Sequence, residues 1–144
     1  MTINVLYTIN GKYKNLMLAS CISMLINNSD KAFNIHIIVS DFTKFDYDFC
    51  ENVTWKFYQL ESFDIRKYGI PDWRESQIAN ARLFFQEYID LSGIDKLLYL
   101  DADTMLNDDI NKLYSIDISE YEYASSLDYM GSFFIHENYC NAGV

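Results

Sequence analysis

The sequence predicts an α/β domain with a Rossmann-like, mainly parallel sheet flanked by helices. Three observations carry that prediction. Apolar runs of strand length alternate with longer segments of helical period along the chain. The first apolar run is continuous, as a strand covered on both faces requires. Only one proline and five glycines punctuate the 144 residues, with no repeat or Gly/Ser-rich linker, so one compact unit spanning 1–144 is expected.

Taken in order, INVLYTI (3–9) reads as the first strand and KYKNLMLASCISMLINN (12–28) as a helix, apolar around much of its circumference. FNIHIIVSD (33–41) is a second strand, in which His36 is a core histidine. Residues 44–52 suit a short helix, and VTWKFYQL (53–60) alternates as a third strand does. Pro71 breaks the undetermined stretch 61–75. ESQIANARLFFQEYIDL (75–91) has the strongest helical pattern. An apolar strand, 96–101, leads into an Asp-rich turn, followed by a short helix near 109–115 and a strand near 121–127.

Charge and cysteine usage narrow the function. A net charge of −10 and a pI near 4.4 leave no basic stripe for nucleic acid. An acidic chain still accepts a small polyanion if a divalent cation accompanies it. Cys21, Cys50 and Cys140 are odd in number and form no CxxC pair, which argues against a disulfide framework or a zinc site. The N-terminus has no signal-peptide pattern and no apolar run approaches the roughly 20 residues of a membrane span. A reducing, cytoplasmic location is expected, so the sequons at Asn27 and Asn52 carry little meaning.

Chemistry concentrates where the last clear strand ends, in KLLYLDADT. Ligands of parallel α/β sheets sit beyond the carboxyl ends of the strands. In an extended chain Asp101 and Asp103 would face one side, with Cα atoms about 6.5 to 7 Å apart. They would converge on one hard cation while small Ala102 admits a ligand to the backbone. The bare triplet serves equally as a strand end and a turn cap. Seven acids against one lysine across 101–122 favour a metal. An EF-hand loop fails, since Met105 and Leu106 occupy its fifth and sixth positions. A haloacid-dehalogenase-type phosphatase also uses Asp-x-Asp after an apolar strand, but Met105 stands where that motif wants Thr or Val.

Five segments in order give the chain a specific resemblance. INVLYTINGKY, LMLASCISMLINN, ANARLFFQEYI, KLLYLDADT and CNAGV together resemble glycosyltransferase family 8, the retaining nucleotide-sugar transferases. The resemblance implies a GT-A nucleotide-diphospho-sugar transferase fold and a UDP-sugar donor. It also implies Mn2+ (or Mg2+) held by Asp101 and Asp103, and transfer of a hexose to a glycan, lipopolysaccharide-type or other hydroxyl acceptor. Thr8, Ile9 and Asn10 would face uracil and ribose, Ala102 would line the donor site, and Tyr13 would stack on the base. On the residues alone, Tyr13 reads as an aromatic packed at a helix start. Arg82 falls between Ile78, Phe85 and Ile89 on a helical projection at about 100° per residue. Pattern alone makes it a snorkelling or internally paired arginine; the resemblance makes it a ligand of the donor diphosphate. Asn141 would lie beside the donor sugar and Asp128 would contact a sugar.

Two departures qualify the resemblance. Where many relatives carry Asp-Asp-Asn-Tyr, this chain has Asn10-Gly11-Lys12-Tyr13. The third metal ligand, the residues acting on the sugar and most of the acceptor site belong to the family's later half. The chain is therefore expected to lack the C-terminal part of the GT-A domain, with catalytic residues beyond Val144. That missing part is also where peripheral membrane attachment would reside. A non-catalytic or truncated nucleotide-binding module is the alternative function, and a haloacid-dehalogenase-type phosphatase stays as the runner-up enzyme reading.

Overall fold

The computed structural model describes residues 2–41, 44, 51–60, 69 and 77–126. Four parallel strands, β1 (Thr2–Ile9), β2 (Ala32–Val39), β3 (Val53–Gln59) and β4 (Leu98–Tyr99), lie in the order β3-β2-β1-β4. β1 and β2 pair along their full length, from Thr2 opposite Ala32 to Ile9 opposite Val39. β4 pairs with β1 only through Val5–Leu98 and Leu6–Tyr99, and the Leu100 N–H extends the contact by donating to the Leu6 carbonyl at 3.0 Å. The order reverses between β1 and β4, which opens a crevice at their carboxyl ends.

Period-two alternation assigns the two sheet faces. Val5, Tyr7 and Ile9 of β1 join Ile35, Ile37 and Val39 of β2 against helix α1 (Lys14–Asn27), through its Met17, Cys21 and Met24. Leu6 and Ile38 face the other way, against Ile78, Ala81 and Ile89. Both faces are covered, which explains the unbroken apolar run of β1. β4 follows the same rule: Leu98, Leu100 and Ala102 pack on the α1 side, Leu97 and Tyr99 on the other.

Two expected elements differ. Residues Ile78–Glu87 form a 3₁₀ helix, with non-helical backbone at Phe84, in place of a regular α-helix over 75–91. A repeat of three residues per turn eclipses Ile78 and Ala81, both buried, and turns Arg82 away from their stripe. Residues 96–101 contribute only two strand residues. The short helix near 109–115 is found as α2 (Asn111–Tyr114). The expected helix at 44–52 falls largely outside the described residues.

The chain divides into a unit Met1–Tyr114 and a second unit Ser115–Val144. The second, described over 115–126, consists of turns, one closed by the Tyr121 N–H donating to the Ile118 carbonyl at 2.9 Å. No strand forms at 121–126; Tyr121 and Tyr123 are 71% and 80% exposed there, without the burial that alternating aromatics need to hold a strand. Among the described residues, no helix is long and apolar enough to cross a membrane.

His36 is the core histidine expected. Its ring stacks on Tyr58 and its Nδ1 lies 2.9 Å from the Tyr58 hydroxyl, while buried Nε2 has no hydrogen-bond partner among the described residues. Burial, with Lys56 adding repulsion, lowers its pKa to about 4. The native state thus favours the neutral ring, and stability falls as pH drops from the unfolded value near 6.5 through about 4. His36→Phe is expected to remove about 3 kcal/mol of the stability lost across that interval, read from urea denaturation of both proteins at pH 7 and pH 4. An identical pH dependence in the two would contradict this.

Candidate active site

The site gathers at the carboxyl ends of β1 and β4. Thr8 is an even residue of β1, and the β1–β4 register sets Leu6 opposite Tyr99. Thr8, Tyr99 and the following Asp101 therefore emerge on the face covered by the 3₁₀ helix that carries Arg82. The Tyr99 hydroxyl is the hub. It donates to Asp101 Oδ1 at 2.6 Å, accepts from Arg82 Nη1 at 3.2 Å, and lies 3.5 Å from Thr8 Oγ1. Arg82 also reaches Asp101 Oδ1 at 3.4 Å and sits over the Tyr99 ring, 5.3 Å from its centroid. Burial, then the bond to Asp101, raises the Tyr99 pKa, so its hydroxyl stays protonated and donates.

The aspartates lie on a turn rather than an extended strand. The Thr104 N–H donates to the Asp101 carbonyl at 3.1 Å, and Thr104 Oγ1 donates to the same oxygen at 2.8 Å. α1 holds the turn through its small polar residues. Ser20 Oγ lies 3.2 Å from Thr104 Oγ1 and 2.9 Å from the Tyr7 hydroxyl. Further on, Ser23 Oγ accepts from the Leu106 N–H at 2.9 Å, and Asn27 Nδ2 donates to the Leu106 carbonyl at 2.9 Å. Asn28, fully buried at the end of α1, binds Ile110 N–H and the Asp108 carbonyl. α1 and the Asn28 that ends it thus bind the segment 104–110 at Thr104, Leu106, Asp108 and Ile110.

The acidic cluster resolves into pairs. Asp108 meets Lys112, Asp109 meets Lys31 at 3.2 Å, and Asp101 meets Arg82. Asp103 is exposed and has neither hydrogen bond nor ion pair among the described residues. Among the described residues Asp101 keeps Oδ2 unengaged, since both of its side-chain bonds use Oδ1. Two hard carboxylates with unused oxygens fit Mn2+ or Mg2+, which bind through one or two carboxylates plus phosphate and water oxygens. Among the described residues no three His, Cys, Asp or Glu side chains gather as a complete metal site.

The other sequence-predicted residues fall around this centre. Ile9 has its side chain in the core, 2% exposed, so only its backbone faces the crevice. Asn10 caps the short 3₁₀ turn Gly11–Tyr13 by accepting from the Lys12 N–H at 3.0 Å. Tyr13 is 47% exposed at the start of α1, with its ring uncovered rather than packed in the core. Ala102 packs partly against the α1-side core. Asp128 and Asn141 lie outside the described residues. Tyr99, Ser20, Ser23 and Thr104 escaped the sequence reading. Tyr99, Ser20 and Ser23 offered only a hydroxyl inside an apolar run or helix, which pattern alone treats as neutral, and Thr104 only a hydroxyl beside the aspartates.

A parallel sheet of this order, with its site at the strand ends, has the GT-A glycosyltransferase fold. The fold is similar to that of an active-site mutant of LgtC (TM-score 0.70, 19% identity, 97% of this chain and 49% of that one). It is also similar to galactosyltransferase LgtC in complex with donor and acceptor sugar analogs (TM-score 0.60, 21% identity, 81% of this chain and 43% of that one). The bifunctional glycosyltransferase WbbM is another such structure (TM-score 0.60, 18% identity, 81% of this chain and 21% of that one). The chain belongs to glycosyl transferase family 8, whose model matches residues 4–142. It is 39% identical over 77 residues to glycosyltransferase GlyD of Streptococcus pneumoniae serotype 4, covering 51% of this chain and 8% of that protein. The chain thus spans about half the length of LgtC and a small part of GlyD.

Proposed function

We propose that residues 1–144 form the donor-binding part of a retaining glycosyltransferase that moves a hexose from a UDP-sugar to a glycan, lipopolysaccharide-type or other hydroxyl acceptor. The observation that carries this is the Thr8–Tyr99–Asp101–Arg82 cluster beside Asp103, which has no partner among the described residues, at the switch point of the sheet. Asp101 and Asp103 would hold Mn2+ or Mg2+. When bound, that cation offsets the charge of the donor diphosphate and of the departing UDP. Tyr99 keeps the Asp101 carboxylate oriented by its hydrogen bond. Arg82, partly exposed, supplies a guanidinium beside the same carboxylate for the diphosphate oxygens. Thr8, the Ile9 backbone and Asn10 line the nucleoside side, with Tyr13 as the ring for the base. Asp128 and Asn141 are assigned to the sugar by the family resemblance, and a cytoplasmic location suits a UDP-sugar donor.

The test is calorimetric titration of UDP into the chain with manganese and again with chelator. Binding that requires the metal is expected. A folded chain that binds UDP equally without metal, or not at all, would overturn this assignment.

A further inference from the structure

At the carboxyl end of β2 a third carboxylate reaches the loop that follows β1, one that the sequence left unremarked. Asp41 Oδ1 accepts from the Gly11 N–H at 2.6 Å, which fastens the end of β2 to the loop after β1. Its neighbour Ser40 donates more weakly to the same oxygen, at 3.4 Å. Both bonds use Oδ1, leaving Oδ2 without a partner among the described residues.

Gly11 is fitted to this carboxylate. Its backbone is not in the left-handed region, so conformation does not demand glycine there. Space does: a Cβ on Gly11 would lie 3.0 Å from Asp41 Oδ2 and 3.4 Å from the carboxyl carbon. The carboxylate fills the volume a side chain at 11 would occupy, and points an acceptor-only group at the loop assigned to the nucleoside. In doubly wound sheets, a carboxylate at the end of the second strand, downstream of the first βα turn, accepts hydrogen bonds from a ribose diol.

We propose that Asp41 is a specificity-determining residue that accepts a hydrogen bond from the donor's nucleoside, through a ribose hydroxyl or the imide N–H of the base. The assignment rests on the nucleotide-sugar reading above and adds a contact to it. Glycine at 11 is then a requirement of the Asp41 position. A methyl group there would displace the carboxylate from both the loop and the ligand.

The experiment titrates UDP, 2′-deoxy-UDP, 3′-deoxy-UDP and CDP, each with manganese, into the wild-type chain, Asp41→Asn and Gly11→Ala. Asp41→Asn keeps an oxygen for the Gly11 N–H and replaces the second acceptor with an NH2 group, so loop position and ligand contact separate. Asp41→Asn is expected to weaken UDP binding by about tenfold to 100-fold, the range of a hydrogen bond to a charged group. It should also erase the wild-type preference for UDP over one of the other nucleotides. Loss against the deoxy nucleotides identifies the ribose, and loss against CDP identifies the imide. Gly11→Ala should reproduce the loss, and the double variant should add little to it. The melting curve of Asp41→Asn is expected to coincide with wild type, since Asp41 is exposed and the amide keeps an oxygen for the Gly11 N–H. Unchanged UDP affinity, or an equal loss for all four nucleotides, overturns the contact while leaving the donor site standing. A folded wild-type chain that binds none of them overturns both.

Discussion

Asp103→Asn is expected to lower the manganese-dependent affinity for UDP by about 100-fold or more while leaving the melting temperature unchanged. Groups that only orient a metal ligand cost 10–100-fold when removed, so the ligand itself belongs at or beyond that range. The absence of a stability effect follows from its surroundings. Asp103 is exposed and makes no hydrogen bond or ion pair among the described residues, so the fold loses nothing with its charge. Asp101→Asn is a less clean probe, because Asp101 also accepts from Tyr99 and pairs with Arg82. That pair is largely solvent-exposed and worth at most about 1 kcal/mol, so its loss shows mainly as a misplaced guanidinium. Calorimetry and thermal melting of the two variants separate these effects. Wild-type metal dependence in Asp103→Asn would move the cation away from this turn.

Asn28→Ala should be the most destabilising single exchange at the site, by about 3 to 4 kcal/mol. The side chain is fully buried and makes two strong bonds. Oδ1 accepts from the Ile110 N–H at 2.9 Å, and Nδ2 donates to the Met24 carbonyl at 2.9 Å, with a longer contact of 3.3 Å to the Asp108 carbonyl. Alanine leaves a buried N–H and the last turn of α1 unsatisfied, at a cost of about 1 to 3 kcal/mol each. Asn28→Asp retains an acceptor for Ile110 but buries a carboxylate against the Met24 and Asp108 carbonyls, so at pH 7 it should be no more stable than Asn28→Ala in urea denaturation. Because the same residue ties α1 to the segment after the aspartate turn, donor affinity should weaken in parallel. A stability within about 0.5 kcal/mol of wild type would show that Ile110 N–H finds another partner.

The parallel core was legible because its physics is local. A strand buried on both faces must be apolar throughout, and β1 and β2 were placed within two residues of their observed ends. The 3₁₀ helix was misread because the apolar pair Ile78 and Ala81 is three residues apart, a spacing that a period of 3.6 and one of 3.0 both accept. Arg82 falls inside the apolar stripe under the first and outside it under the second, and its side chain is 43% exposed. The aspartates were found for a reason that does not apply, since they lie on a turn and not along a strand. Asn27 and Asn28 were read as the end of the first helix, with Asn27 a sequon, although both bind the backbone of the segment beyond the turn.

What the sequence determined by itself is the class of fold, the family and the pair of carboxylates, because apolar runs and ordered motifs are written in residue types. What the tertiary structure decided is which groups those carboxylates meet. Tyr99 and Arg82 converge on Asp101, with Thr8 beside the Tyr99 hydroxyl, through a strand register and a helical repeat, and Asp41 reaches Gly11 across two strand ends. Register, helical repeat and the spacing of strand ends are set by packing between distant segments, and no local pattern of residues encodes them.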